Sequence, residues 1–178
     1  MTDLMILAML LAGPKHGYQL KREAGIILGQ DSLHNNLVYP LLRRFMDSKW
    51  VNCKTVPGQR GQTRNQYSLT AMGRKELLTR LSSFAEQDAR SAEAFRLRVG
   101  LFWLLPREVR GRIMDAREKA LQGRVATLTN TRQSFSLNRY ADEVTARMRA
   151  EAESEIDWIA HLRRLEKSRK DDSHEWSH

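Results

Sequence analysis

The sequence predicts a mainly α chain: a winged helix-turn-helix N-terminal domain followed by a helical C-terminal domain. Three observations carry this. The run Leu37-Val38-Tyr39-Pro40-Leu41-Leu42-Arg43-Arg44-Phe45 reads as a basic helix with an apolar back. The run Tyr67-Ser68-Leu69-Thr70-Ala71-Met72-Gly73-Arg74 reads as a strand entering a capped helix, with a polar, basic, glycine-rich loop before it. Beyond residue 80 come long segments with apolar residues at helical spacing.

The elements follow in order. Residues 2–12 form a short apolar helix stopped by Gly13-Pro14. A second helix begins near His16-Gly17 and runs to about Leu28, with Tyr18, Leu20, Ala24, Ile27 and Leu28 as its apolar members, and Gly29-Gln30-Asp31-Ser32 makes a turn. A third helix covers Asn35 to Ser48. Leu37, Val38, Leu41, Leu42 and Phe45 fall on one arc, and Asn36, Tyr39, Pro40, Arg43 and Asp47 on the other. Pro40 lies in the first two turns, where a missing N–H costs least. Trp50–Val56 and Gln66–Leu69 are strands around a hairpin tip, Pro57 to Asn65, and Thr70 is a good N-cap.

Residues 81–105 read as helix, with Phe84, Phe95, Leu97, Phe102 and Trp103 as buried positions. After Pro106, residues 107–134 and 138–165 are two long helices, each with one apolar stripe. Such stripes call for partner helices, most simply from a second copy. The domains expected are residues 1–80, a helical dimerisation and effector domain over 81–166, and a disordered tail over 167–178.

Composition bounds the function. The chain has 178 residues, is 41% hydrophobic and 29% charged, and carries a net charge of +9. That describes a folded chain with a polyanionic partner. The excess is concentrated in residues 1–80, which hold 12 Lys/Arg against 5 Asp/Glu. The alternative is a merely solvated basic face. A single cysteine, Cys53, leaves no internal disulfide and no multi-cysteine zinc site, and fits a cytoplasmic protein. It is expected to be a small buried strand residue rather than a redox switch. The apolar start carries Asp3 and no basic leader, so it does not read as a signal peptide, and no stretch is apolar enough for a membrane span. No catalytic motif, cofactor or metal site is expected. Glu151, Glu153 and Glu155 read as solvated partners of nearby arginines.

An apolar back with an amide, phenol and guanidinium front suits a helix in the major groove of DNA. Asn35 and Asn36 read adenine or cap the helix. Tyr39 contacts DNA or packs on the turn. Arg43 and Arg44 meet phosphates or form solvated ion pairs. Arg60 and Arg64 flank the minor groove from the wing. Lys15, His16 and Tyr18, at the start of helix two, suit backbone contact. Phe102, Trp103 and Trp158 line an effector pocket or simply pack. Tyr140, Val144, Met148, Ile156, Ile159, Leu162 and Leu165 are the dimerisation stripe.

Ile6-Leu7-Ala8-Met9-Leu10, Gly13-Pro14-Lys15-His16-Gly17-Tyr18-Gln19-Leu20, Tyr39-Pro40-Leu41-Leu42-Arg43-Arg44 and Gln66 through Arg74 together resemble the PadR family of bacterial transcriptional regulators. The layout beyond residue 80 resembles its longer, AphA-like subtype. The resemblance implies a homodimer on a palindromic double-stranded DNA operator, a repressor, and a small aromatic or phenolic effector. The entry to helix three departs from the family's Ser-Pro-Gly-Thr type string; here it is His34-Asn35-Asn36-Leu37, which makes His34 a further candidate contact. Lys49 stands where a helix-ending glycine is common, and a left-handed conformation there costs about 1 kcal/mol. The wing lacks Gly-Arg-Pro-Arg but keeps Gly58, Arg60, Gly61 and Arg64. Two other readings compete: a winged-helix protein-interaction module, and a small-molecule-binding protein without direct operator binding.

Overall fold

The computed structural model describes residues 1–27, 33–57, 63–134 and 138–168. The chain divides into two compact units, Met1–Ser83 and Phe84–His178. The turn expected at 29–32, most of the hairpin tip with Arg60, and all but two residues of the tail lie outside the described residues.

In the first unit α1 spans Thr2–Met9 and passes through a 3-10 turn, Leu10–Ala12, to Gly13 at φ 117. A short strand β1, Lys15–His16, precedes α2, Gly17–Ile27, and α3, Asn35–Asp47. Strands β2, Val51–Pro57, and β3, Thr63–Leu69, form the hairpin, and α4 spans Ala71–Ser82. The sheet is antiparallel in the order β1-β3-β2. The sequence gives no sign of β1, whose second residue, His16, reads there as the start of helix two. Pro57 and Thr63–Asn65 read there as part of the tip, whereas the ladder runs from Val51↔Leu69 out to Pro57↔Thr63. Because α4 reaches Ser82, the unit closes at Ser83 rather than at residue 80.

The core is built from Leu4, Ile6, Leu7, Leu20, Val38, Leu42, Phe45, Leu77 and Leu81, all buried. Leu37, expected on the same apolar arc, is exposed, as are Tyr18 and Ile27. Cys53 is also exposed, which corrects its reading as a small buried residue: Asn52 through Thr55 all face solvent. Pro40 is the sixth residue of α3. Its missing N–H therefore falls beyond the free first-turn donors and removes one helical bond, to the Asn36 carbonyl.

The end of α3 is a Schellman motif. The Lys49 N–H donates to the Met46 carbonyl at 2.9 Å and the Trp50 N–H to the Phe45 carbonyl at 2.8 Å, with Lys49 at φ 60. The Phe45 and Trp50 rings supply the accompanying apolar contact, 5.7 Å between centroids. Thr70 caps α4: its hydroxyl oxygen accepts the Gly73 N–H at 2.9 Å, and its own N–H donates to the Trp50 carbonyl at 3.0 Å. A Cβ at position 73 would collide with that same carbonyl, so only glycine fits there.

The second unit contains α5, Glu86–Arg90, and α6, Ala92–Val99, a 3-10 turn at Phe102–Leu104, and the long helices α7, Arg107–Ser134, and α8, Arg139–Ser168. Residues 81–105 are thus not one helix. Ser83 and Ser91 adopt extended conformations, and the Ser91 hydroxyl accepts the Ala94 N–H at 3.1 Å to start α6 afresh. Lys167 and Ser168, assigned to the tail, complete α8. The pairs Arg110–Glu166, Asp115–Arg163 and Arg117–Glu155 run in opposing sequence order, so α7 and α8 are antiparallel. Their shared core includes Ile113, Leu121, Ala152 and Ile159.

Glu155 differs from its neighbours. Arg147–Glu151 and Arg149–Glu153 are the surface i,i+4 pairs that the sequence suggests. Glu155 instead accepts two bonds from the Arg117 guanidinium, at 2.9 and 2.8 Å. The Arg117 side chain is 4% exposed and also donates to the Ala89 carbonyl of α5 at 2.8 Å. A buried charge is tolerated only when paired and hydrogen-bonded in this way.

Candidate nucleic-acid interface

Helix α3 presents Asn36, Tyr39, Pro40, Arg43 and Asp47 to solvent while Val38, Leu42 and Phe45 anchor its back. The N-cap is His34, in an extended conformation and without a side-chain capping bond. Asn36 is therefore the second helical residue, past the N-cap position, which removes the capping role considered for it. Arg43 is exposed and forms no ion pair among the described residues.

Three elements meet beside α3. The Tyr39 ring lies against Gly17, the first residue of α2: a Cβ there would stand 2.9 Å from Tyr39 Cε1 and 3.3 Å from its hydroxyl oxygen. The Gln19 side-chain oxygen accepts the His16 N–H at 2.8 Å, the half of a capping box in which the third helical residue reaches back. The His16 and Tyr18 rings stack, 5.7 Å apart with planes 9° from parallel. The Arg64 guanidinium carbon lies 5.7 Å from the Tyr18 ring centroid. His16 Nδ1 stands 3.1 Å from the Asn65 carbonyl oxygen, so in the Nδ1–H tautomer the ring donates to the wing. His16, Tyr18, Tyr39 and Arg64 thus form one surface, and Asn65 joins it. Asn65 went unnoticed in the sequence because its part follows from the β1–β3 pairing.

Other candidates lie apart from this surface or are already engaged. Lys15 Nζ is 2.9 Å from the Glu23 carboxylate and its side chain is only 21% exposed, so its charge is largely met within the fold. Arg44 is exposed but turns toward Asp3, 3.8 Å away, and over the Phe45 ring. His34 is exposed at the entry to α3. Beneath the surface, burial above all, and then the Cys53 thiol, pushes the Tyr67 phenol above its ordinary value of 10.0.

In the second unit the three candidate pocket residues do not converge. Phe102 is buried, Trp103 is 58% exposed on its 3-10 turn, and Trp158 packs edge-on against Phe95 at 5.7 Å. Trp158 does line a cavity of about 720 Å³, whose other walls include Arg96, Leu121, Arg124 and Met148, but not Phe102 or Trp103. The dimerisation stripe is also split. Tyr140, Val144 and Leu165 are exposed, Met148, Ile156 and Leu162 half-buried. Ile159 is fully buried within its own unit and has no surface left for a partner. Among the described residues no cluster of His, Cys, Asp and Glu could hold a metal ion, and no helix is long and apolar enough to cross a membrane.

The Transcriptional regulator PadR-like family matches residues 6–79. A transcriptional regulator of Thermoplasma acidophilum is 30% identical over 43% of this chain and 72% of its own, with a TM-score of 0.40. The chain belongs to the PadR-like family. The PadR-like match runs from within α1 into α4 and so contains every residue of the surface just described. The long helical second unit fits the longer form of the family. Bacillus subtilis PadR, solved in complex with operator DNA, is 18% identical over 90% of this chain and 95% of its own, with a TM-score of 0.45. RosR of H. salinarum is 22% identical over 58% of this chain and 88% of its own, with a TM-score of 0.41. No curated protein matches the chain.

Proposed function

We propose that this PadR-like regulator binds a palindromic DNA operator as a homodimer and acts as a ligand-responsive repressor. One observation carries the DNA-binding reading: exposed Tyr39 on α3 and exposed Tyr18 on α2 stand beside half-buried His16 on β1 and Arg64 on β3. Helix α3 enters the major groove with Asn36, Tyr39 and Arg43 forward, and the β2–β3 wing lies along the adjacent backbone. The operator DNA bound to Bacillus subtilis PadR supports the same partner class. Exposed Tyr140 and Val144 support pairing with a second copy. The cavity lined by Arg96, Arg124 and Trp158 supports a small anionic or aromatic effector.

The test is a gel shift with DNA from upstream of the protein's own gene, titrated with salt. Specific binding that falls linearly in log–log form with salt is expected, because phosphate neutralisation releases counterions. The double variant Tyr39→Ala/Arg43→Ala should weaken binding by roughly 100-fold or more while leaving the circular dichroism spectrum unchanged. Unchanged affinity in that variant would overturn the α3 assignment. A stable dimer from residues 1–105 alone would overturn pairing through the second unit.

A further inference from the structure

Tyr18 stands out within the candidate face. It sits on the first turn of α2 and is 48% exposed. Its ring is nonetheless engaged by two groups on different elements. The His16 ring stacks on it, and the Arg64 guanidinium lies within cation–π distance. His16 itself is tied down through its register with Gln66 and its approach to the Asn65 carbonyl. Arg64 and Gln66 are two residues apart on β3 and share one face of it. The β1–β3 pairing therefore carries the start of α2 to the side of the wing from which Arg64 projects.

An arginine on an exposed hairpin samples many rotamers, and ordering it at a DNA surface costs affinity. A neighbour that orders it beforehand lowers that cost. We propose that Tyr18 is a positioning residue for the wing: its ring pre-orders the Arg64 guanidinium, and the contribution of Arg64 to DNA binding depends on it. This rests on the DNA-binding reading above. A direct role for the Tyr18 hydroxyl at a phosphate is the competing account, and it makes the opposite prediction for phenylalanine.

The experiment is a double-mutant cycle on the full chain, using fluorescence anisotropy with a labelled duplex from upstream of the gene across a salt series. Tyr18→Leu and Arg64→Ala should each weaken binding about ten-fold and lower the salt slope by about one. The double variant should be no weaker than Arg64→Ala alone, and Tyr18→Phe, which keeps the ring, should retain most of the affinity and salt slope that Tyr18→Leu loses. Additive losses, or a Tyr18→Phe loss equal to that of Tyr18→Leu, would overturn the proposal. So would a Tyr18→Leu variant that lowers Tm while leaving the salt slope intact. A second readout needs no DNA: the Arg64 δ-protons should be shifted upfield by the Tyr18 ring in the free protein and released in Tyr18→Leu. Wild-type binding without that shift overturns the positioning role alone. The shift without any salt-dependent DNA binding overturns the DNA-binding reading and the role with it.

Discussion

The Tyr39 ring rests on the backbone of Gly17, joining the exposed front of α3 to the first turn of α2. The atom nearest a Cβ at position 17 is Cε1, at the outer end of a ring that can swing away. Gly17→Ala should therefore cost little stability, since alanine's better helix propensity offsets the displacement to within about 1 kcal/mol. DNA affinity should still fall about ten-fold, roughly 1.4 kcal/mol, because Tyr39 is moved. Parallel urea denaturation and anisotropy titrations separate the two effects. Full affinity in Gly17→Ala would show that the Tyr39 position is immaterial.

Lys49→Gly should stabilise the first unit. Lys49 holds φ 60 to complete the Schellman motif, a conformation that costs an L-residue about 1 kcal/mol and glycine almost nothing. A higher urea midpoint at unchanged slope is the expected result. A midpoint at or below wild type would mean that the gain is cancelled by glycine's freedom in the unfolded chain.

Glu155→Ala should be among the most damaging single changes in the second unit. It strands the buried Arg117 guanidinium, and removing one partner of such a pair costs about 3–5 kcal/mol. Replacing both, as Arg117→Met/Glu155→Leu, should cost much less. Equal losses in the single and double variants would show that the pair contributes through packing rather than charge.

Tyr67 should impose an alkaline limit on stability. Burial, and then the neighbouring Cys53 thiol, raise its phenol above 10.0, so folding favours the neutral form. That contribution is complete below the unfolded value and is lost as pH rises through the folded one. Urea midpoints should fall as pH rises past 10.0, and Tyr67→Phe should flatten the decline. An undiminished decline in Tyr67→Phe would assign the effect to other groups.

Much of this was legible in the sequence because it was local. Thr70 followed by a helical pattern, the two arcs of α3 and the helix start after Pro106 depend on neighbours within a turn or two. The failures were tertiary. Lys15-His16 carries no strand signal of its own and pairs only because β3 is already present. Glu155 resembles Glu151 and Glu153 in sequence, and only the placement of Arg117 opposite it sets it apart. Trp103 and Ile159 were exchanged in exposure for the same reason. Periodicity identifies an apolar face, but the neighbouring helices decide which part of that face is covered.

The root of the hairpin has a consequence for how such a protein can change. The Trp50 carbonyl receives the Thr70 N–H and abuts Gly73, Val51 pairs with Leu69, and the Schellman turn at Lys49 fixes the entry. All of these lie at the end of the ladder opposite Pro57 and Thr63. A different tip between those two residues, longer, shorter or recharged, would be grafted onto an anchorage it does not help to build. The tip can therefore vary while the helices and their stability are inherited unchanged.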